Sequence, residues 1–204
     1  MKDINREIEA LKQDFDKYDH DFLVSKWIVE RLPYIFKNNY EEYLQIKIEL
    51  AKLLNVDSCS IIFVGSSCTG FSLSPHKKFK EFDKSSDIDI AVISHYYFDV
   101  AWHTIRNVKL SVMTPDVNKA LKDHRERLVY WGTIATDKIL GLLPFGEQWL
   151  KAIEKMKQHK IFENRDINFR LYRDTESLRA YHLSNFQRKL PELLGVKSES
   201  IEVK

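Results

Sequence analysis

The chain has 204 residues, of which 44% are hydrophobic, 12% aromatic and 30% charged; it can bury a substantial core and is unlike a disordered chain. Its formal net charge of +2 argues neither for nor against a polyanionic partner, so any affinity for nucleic acid must be local. Cys59 and Cys68 make neither a disulfide framework nor a zinc pattern, and no long uncharged apolar run suits a membrane-spanning helix, so the expected compartment is a reducing cytoplasm with no membrane partner.

Ile4, Ile8, Leu11 and Phe15 recur at helical spacing, which predicts an amphipathic first helix with Asp3 as its N-cap. A second helix is predicted through Phe22, Trp27, Ile28 and Arg31, ending near Pro33. A third is predicted over residues 38–54, with Tyr40, Tyr43, Leu44, Ile48 and Leu50-Ala51 on its apolar face. Ser60-Ile61-Ile62-Phe63-Val64 is a β-branched and aromatic run that stops at Gly65, the pattern of a buried strand. Residues 66–86 read as a loop, and Asp87-Ile88-Asp89-Ile90-Ala91-Val92-Ile93 as a second strand.

A mostly helical stretch is predicted over residues 96–159, interrupted at Thr114-Pro115, Gly132, Gly141 and Pro144. Ile167, Phe169 and Leu171 then alternate with Asp166, Asn168, Arg170 and Tyr172, a third strand of period two with its polar side facing a cleft. Thr175 is the expected cap of a last helix to about Leu190. The order of elements predicts an α+β fold, a small mixed sheet with helices mainly on one face. Residues 1–56 are expected as an N-terminal helical segment on the core, 57–194 as the main domain and 195–204 as a tail.

The chemistry is concentrated between the first two strands. Asp87 and Asp89 are two apart on a strand, so they share a face while Ile88, Ile90 and Val92 anchor the other. Paired carboxylates repel unless solvated, protonated or bound to a cation, and hard Mg²⁺ bridges such oxygens to phosphates. Gly65 lets the backbone turn sharply, and the N–H groups and hydroxyls of Ser66 and Ser67 can meet phosphate oxygens. Thr69 and Gly70 add a second flexible point. His76, Lys77, Lys78 and Lys80 in the following loop are placed to meet nucleotide or RNA phosphates, or to form a solvated surface.

Ile61-Ile62-Phe63-Val64-Gly65-Ser66 followed by Asp87-Ile88-Asp89-Ile90 resembles the signature of the nucleotidyltransferase superfamily with the DNA polymerase β-like fold. The resemblance implies an NTP substrate held by the Gly-Ser turn and two Mg²⁺ ions bound by the aspartates, with pyrophosphate leaving in an in-line displacement. Acceptors in that superfamily include RNA ends, proteins and small molecules. Its small bacterial members serve in toxin–antitoxin or phage-defence modules, which would bring a cognate partner protein.

The superfamily also places a third carboxylate on a later strand. The matching context here is Ile167-Asn168-Phe169, which holds a neutral amide, while Asp166 lies two residues earlier on the same side. The expected catalytic and metal-binding set is therefore Asp87, Asp89 and Asp166, with Gly65, Ser66, Ser67, Thr69, Lys77 and Arg170 for the nucleotide. The alternative is a nucleotide-binding protein that keeps the fold without turnover. The seven histidines show no metal-ligand spacing and are assigned no role.

Overall fold

A computed structural model describes residues 2–109 and 113–195. Helices α1 (Lys2–Lys17), α2 (His20–Val24, continued by a π turn over Ser25–Val29) and α3 (Tyr40–Leu54) precede the first strand. α3 starts where Asn39 accepts from the Glu42 N–H at 3.0 Å and donates to the Glu42 carboxylate at 2.9 Å. It stops where Asn55 adopts the left-handed conformation. The remaining elements are β1 (Ile61–Val64), α4 (Gly65–Thr69), β2 (Ile88–Ile93), α5 (His95–Asn107), α6 (Pro115–Asp123), β3 (Thr133–Ala135), α7 (Gly146–Met156), β4 (Ile167–Tyr172) and α8 (Thr175–Leu194).

The strands form one sheet in the order β1-β2-β4-β3. β2 and β4 run parallel, with Asp89 opposite Asn168, while β1 pairs antiparallel with β2 and β3 with β4. This is an α+β fold with a mixed sheet. Both faces of the sheet are covered, not mainly one as expected. Ile61, Phe63, Ile88, Ile90, Ile167, Phe169 and Leu171 face a core shared with Leu50, Leu54, Phe98 and Trp149, from α3, α5 and α7. Val64, Ala91 and Tyr172 face a second core with Leu11, Trp27, Ile28, Leu178 and Phe186, from α1, the α2 region and α8. The strands are apolar on both sides for most of their length because both sides are buried. Residues of the 1–56 segment thus contribute to both cores.

Several local expectations change. β3, three residues long, lies inside the stretch read as helical; it is too short to display an alternation. Residues 65–69 form a helical turn and not a loop. Tyr172 is buried against α8 and faces no cleft. α8 is capped by Asp174, whose carboxylate accepts from the Ser177 N–H at 2.7 Å, and it continues to Leu194. The Asp3 side chain and residues 196–204 of the expected tail lie outside the described residues. Among the described residues, no helix is long and apolar enough to cross a membrane.

Residues 71–86 are organised in place. Phe71 bridges to Glu81, the Ser72 N–H donates to the Lys80 carbonyl at 2.9 Å, and the Phe82 N–H donates to Gly70 at the same distance. Phe71 and Phe82 bury their rings beneath this hairpin-like excursion. Arg165 fastens its far end by donating to the carbonyls of Asp83 and Ser86. The excursion is thereby folded back over the mouth of β1 and β2.

Candidate active site

The β1–α4 junction and β2 build the centre of the site. Val64 pairs with Asp89 across the antiparallel ladder, so the turn that follows β1 arrives beside the Asp89 carboxylate. Gly65 has φ +64, and a β-carbon there would stand 2.6 Å from Asp89 Oδ2. Glycine is required for the backbone conformation and for the close approach. Asp89 is half-buried, and Asp87, one residue before β2, is exposed.

Burial holds the Asp89 carboxyl above the ordinary carboxylate range. The positive charge of Arg170, a hydrogen bond from Asn168 and the charge of Lys77 pull the other way, while Asp87 adds to the rise. Two carboxylates, one of them partly desolvated, thus stand under three nearby polar or cationic groups. Arg170 is held on the same side by Tyr181, to whose hydroxyl it donates at 3.4 Å and over whose ring it lies at 5.2 Å.

Two cavities open here. One, of about 370 Å³, is lined by Gly65, Ser66, Lys77, Asp89 and Arg170 and then by a face of α8. The other, of about 70 Å³, is lined by Ser66, Lys77, Lys80, Ser86, Asp87 and Asp89, among other polar residues. Gly65, Ser66, Lys77, Asp87, Asp89 and Arg170 are therefore brought together.

The other expected members are placed elsewhere. Ser67 and Thr69 are buried and line neither cavity. Ser67 Oγ donates to the Val64 carbonyl at 2.9 Å, and Thr69 Oγ1 donates to the Phe71 and Gly65 carbonyls. The helical turn that begins at Gly65 carries both hydroxyls into the body of the protein, where they tie the turn down. Asp166 precedes β4, and its carbonyl accepts from the Ile88 N–H at 2.8 Å. Its side chain is 79% exposed, lies 3.4 Å from Lys157 Nζ and lines neither cavity. Asn168 is the residue of β4 that meets Asp89.

Reading the sequence missed the wall residues on α8, three of them polar: His182, Asn185 and Lys189. Their spacing puts them on one helical face, but a polar face on a terminal helix is ordinarily solvated and signals nothing by itself.

Among the described residues, no group of three His, Cys, Asp or Glu side chains stands ready to hold a metal. The Asp87 and Asp89 oxygens still match the demand of Mg²⁺, which takes one or two protein carboxylates and completes its shell with phosphate and water. The arrangement can accept a polyanion with a divalent cation at the cavities that Asp89 lines. Compared with known proteins, the chain matches no family model, no curated protein and no solved structure.

Proposed function

We propose that the chain is a Mg²⁺-dependent nucleotidyltransferase that moves a nucleoside monophosphate from an NTP to an acceptor hydroxyl or phosphate. The observation that carries this reading is the packing of Gly65-Ser66 against Asp89 at a cavity shared with Lys77 and Arg170. A triphosphate must touch a backbone turn, cations and metal-binding carboxylates within one short span, and these residues are within it.

Asp87 and Asp89 would hold Mg²⁺, which when bound neutralises charge on the phosphates. Ser66 and the α4 turn would cradle phosphate oxygens, and Lys77 and Arg170 would offset the remaining charge. The half-buried position of Asp89 strengthens its pull on a cation relative to a solvated carboxylate. In the transfer the acceptor oxygen would bond to the α-phosphorus as the bond from that phosphorus to the bridging oxygen breaks, pyrophosphate would leave, and the proton of a hydroxyl acceptor would pass to solvent.

A pyrophosphate-release assay with each labelled NTP and whole-cell RNA or protein, run beside Asp89→Ala, tests the reading. Wild type should release pyrophosphate, and the variant should lose about 100-fold or more, the scale of removing one transition-state charge partner. No release from wild type, together with no binding of NTP and Mg²⁺ by calorimetry, would sink it.

A second reading has its own support. Asn168 occupies the position opposite Asp89 and cannot act as a base. In this reading the chain would bind nucleotide without transferring it, and calorimetric binding with no pyrophosphate release is its signature.

A further inference from the structure

The two cavities differ in a way that matches the two ends of a nucleotide. They meet at Ser66, Ser72, Lys77 and Asp89, which line both. The smaller one continues only into hydroxyls, ammonium groups and carboxylates, the chemistry of a phosphate chain with a divalent cation. The larger one continues along α8, where Ile28, Leu73, Phe186 and Leu190 supply apolar wall and His182, Asn185 and Lys189 supply polar groups. An apolar strip within a polar chamber can hold a flat heterocycle whose edge meets the polar groups, and the volume of about 370 Å³ lies in the range of small-molecule sites.

Two groups in the wall of that chamber have unused hydrogen-bonding capacity. His182 Nε2 has no partner, a rare state for a buried polar atom, and it is turned out of reach of a molecule in the chamber, which the ring serves as wall. Burial pushes the ring down to about 3, and the charges of Arg170 and Lys189 act in the same direction. At neutral pH the ring is thus uncharged. The Asn185 carboxamide, three residues along the same face, makes no side-chain hydrogen bond among the described residues and offers both a donor and an acceptor.

We propose that the α8-lined chamber is a nucleobase pocket, in which Asn185 reads the edge of the base and Ile28, Leu73, Phe186 and the His182 ring cover it. The inference rests on the nucleotidyltransferase reading and adds to it the residue that chooses among NTPs. An uncharged reader selects by pattern: a base with the wrong order of donors and acceptors leaves it unpaired where water does not replace it.

The test is calorimetry in Mg²⁺ with the four α,β-methylene NTP analogues and with tripolyphosphate, on wild type, Asn185→Ala and His182→Phe. Wild type should favour one analogue over the weakest by about 10- to 100-fold, the scale of one well-made base contact. Asn185→Ala should lose about tenfold for the favoured analogue, His182→Phe should keep the preference as a wall residue does, and both should bind tripolyphosphate within about twofold of wild type. Asn185→Ala carries the test alone if the more buried His182→Phe does not fold. An Asn185→Ala variant that binds every analogue as wild type does overturns the pocket and leaves the nucleotidyltransferase reading standing. Equal losses for tripolyphosphate and all four analogues also overturn it, since the α8 residues would then be acting on the phosphate end. If wild type binds neither tripolyphosphate nor any analogue, both fall.

Discussion

Asn168 lies directly opposite Asp89 in the parallel register of β2 and β4, and its amide favours the charged form of that carboxylate. An amide there favours ionised Asp89 and adds no charge. Asn168→Asp replaces that amide with a like charge. Without metal the variant should lose about 1–3 kcal/mol of stability, the cost of leaving a partly buried carboxylate without its donor. With Mg²⁺ the third carboxylate should tighten the metal by about 10-fold or more. Thermal melts across a Mg²⁺ titration read both effects. A variant whose melting temperature ignores Mg²⁺ would show that these carboxylates do not form a metal site.

Gly65→Ala separates the backbone from the site. The φ of +64 costs an L-residue about 1–2 kcal/mol, and the new methyl would meet Asp89 Oδ2 at 2.6 Å. That oxygen ends a short, half-buried side chain, so it can yield only by turning the carboxylate away from the cavity. The expected result is a modest fall in melting temperature with a much larger loss of nucleotide and Mg²⁺ affinity, followed by calorimetry on the folded variant. Undiminished affinity would mean that the approach of Gly65 to Asp89 has no part in binding.

The centre of the site was legible because it depends on alternation. Ile88, Ile90 and Val92 had to face a core, so Asp87 and Asp89 had to face away from it, and Val64-Gly65 marked where β1 stops. The second cover was not legible: Val64, Ala91 and Tyr172 look like strand residues whichever layer lies over them, and only packing reveals that α8 does. Ser67 and Thr69 were misplaced because a hydroxyl that binds a phosphate and one that ties a helical turn to Val64 and Phe71 are the same in sequence. His182 and Asn185 left no local signal. Their significance comes from a cavity they share with Ile28, Gly65, Lys77 and Asp89 from distant parts of the chain, a relation that periodicity within one helix does not carry.

Asp166 provides the sharpest contrast between pattern and structure. Alternation sets it on the side of Asn168 and Arg170, yet it sits one residue before β4, where the ladder no longer fixes its side chain, and it turns to Lys157. An exposed ion pair of this kind contributes about 0–1 kcal/mol. Asp166→Ala should therefore change stability little and leave Mg²⁺ and nucleotide affinities within about twofold. A loss comparable to that of Asp89→Ala would place Asp166 among the metal ligands once nucleotide is bound.

Asp89 also has a distinct pH signature. Its carboxyl is raised above the ordinary 3.8, because burial outweighs the help from Arg170 and Asn168. A carboxyl raised on folding binds its proton more tightly in the folded state. The stability it contributes is fully present below 3.8 and is lost as the pH climbs through the folded value. Asp89→Asn keeps the shape and removes the titration. In acid the two proteins should melt at similar temperatures; as the pH rises the Asn variant should become the more stable, with a gap that widens and then levels. Mg²⁺ should narrow that gap at neutral pH by binding the folded wild type alone. Melting curves between pH 3 and pH 8 with and without Mg²⁺ decide it. A wild type more stable than Asp89→Asn at neutral pH without metal would mean that Arg170 outweighs burial, making Asp89 a structural charge partner of that arginine and not a cation ligand.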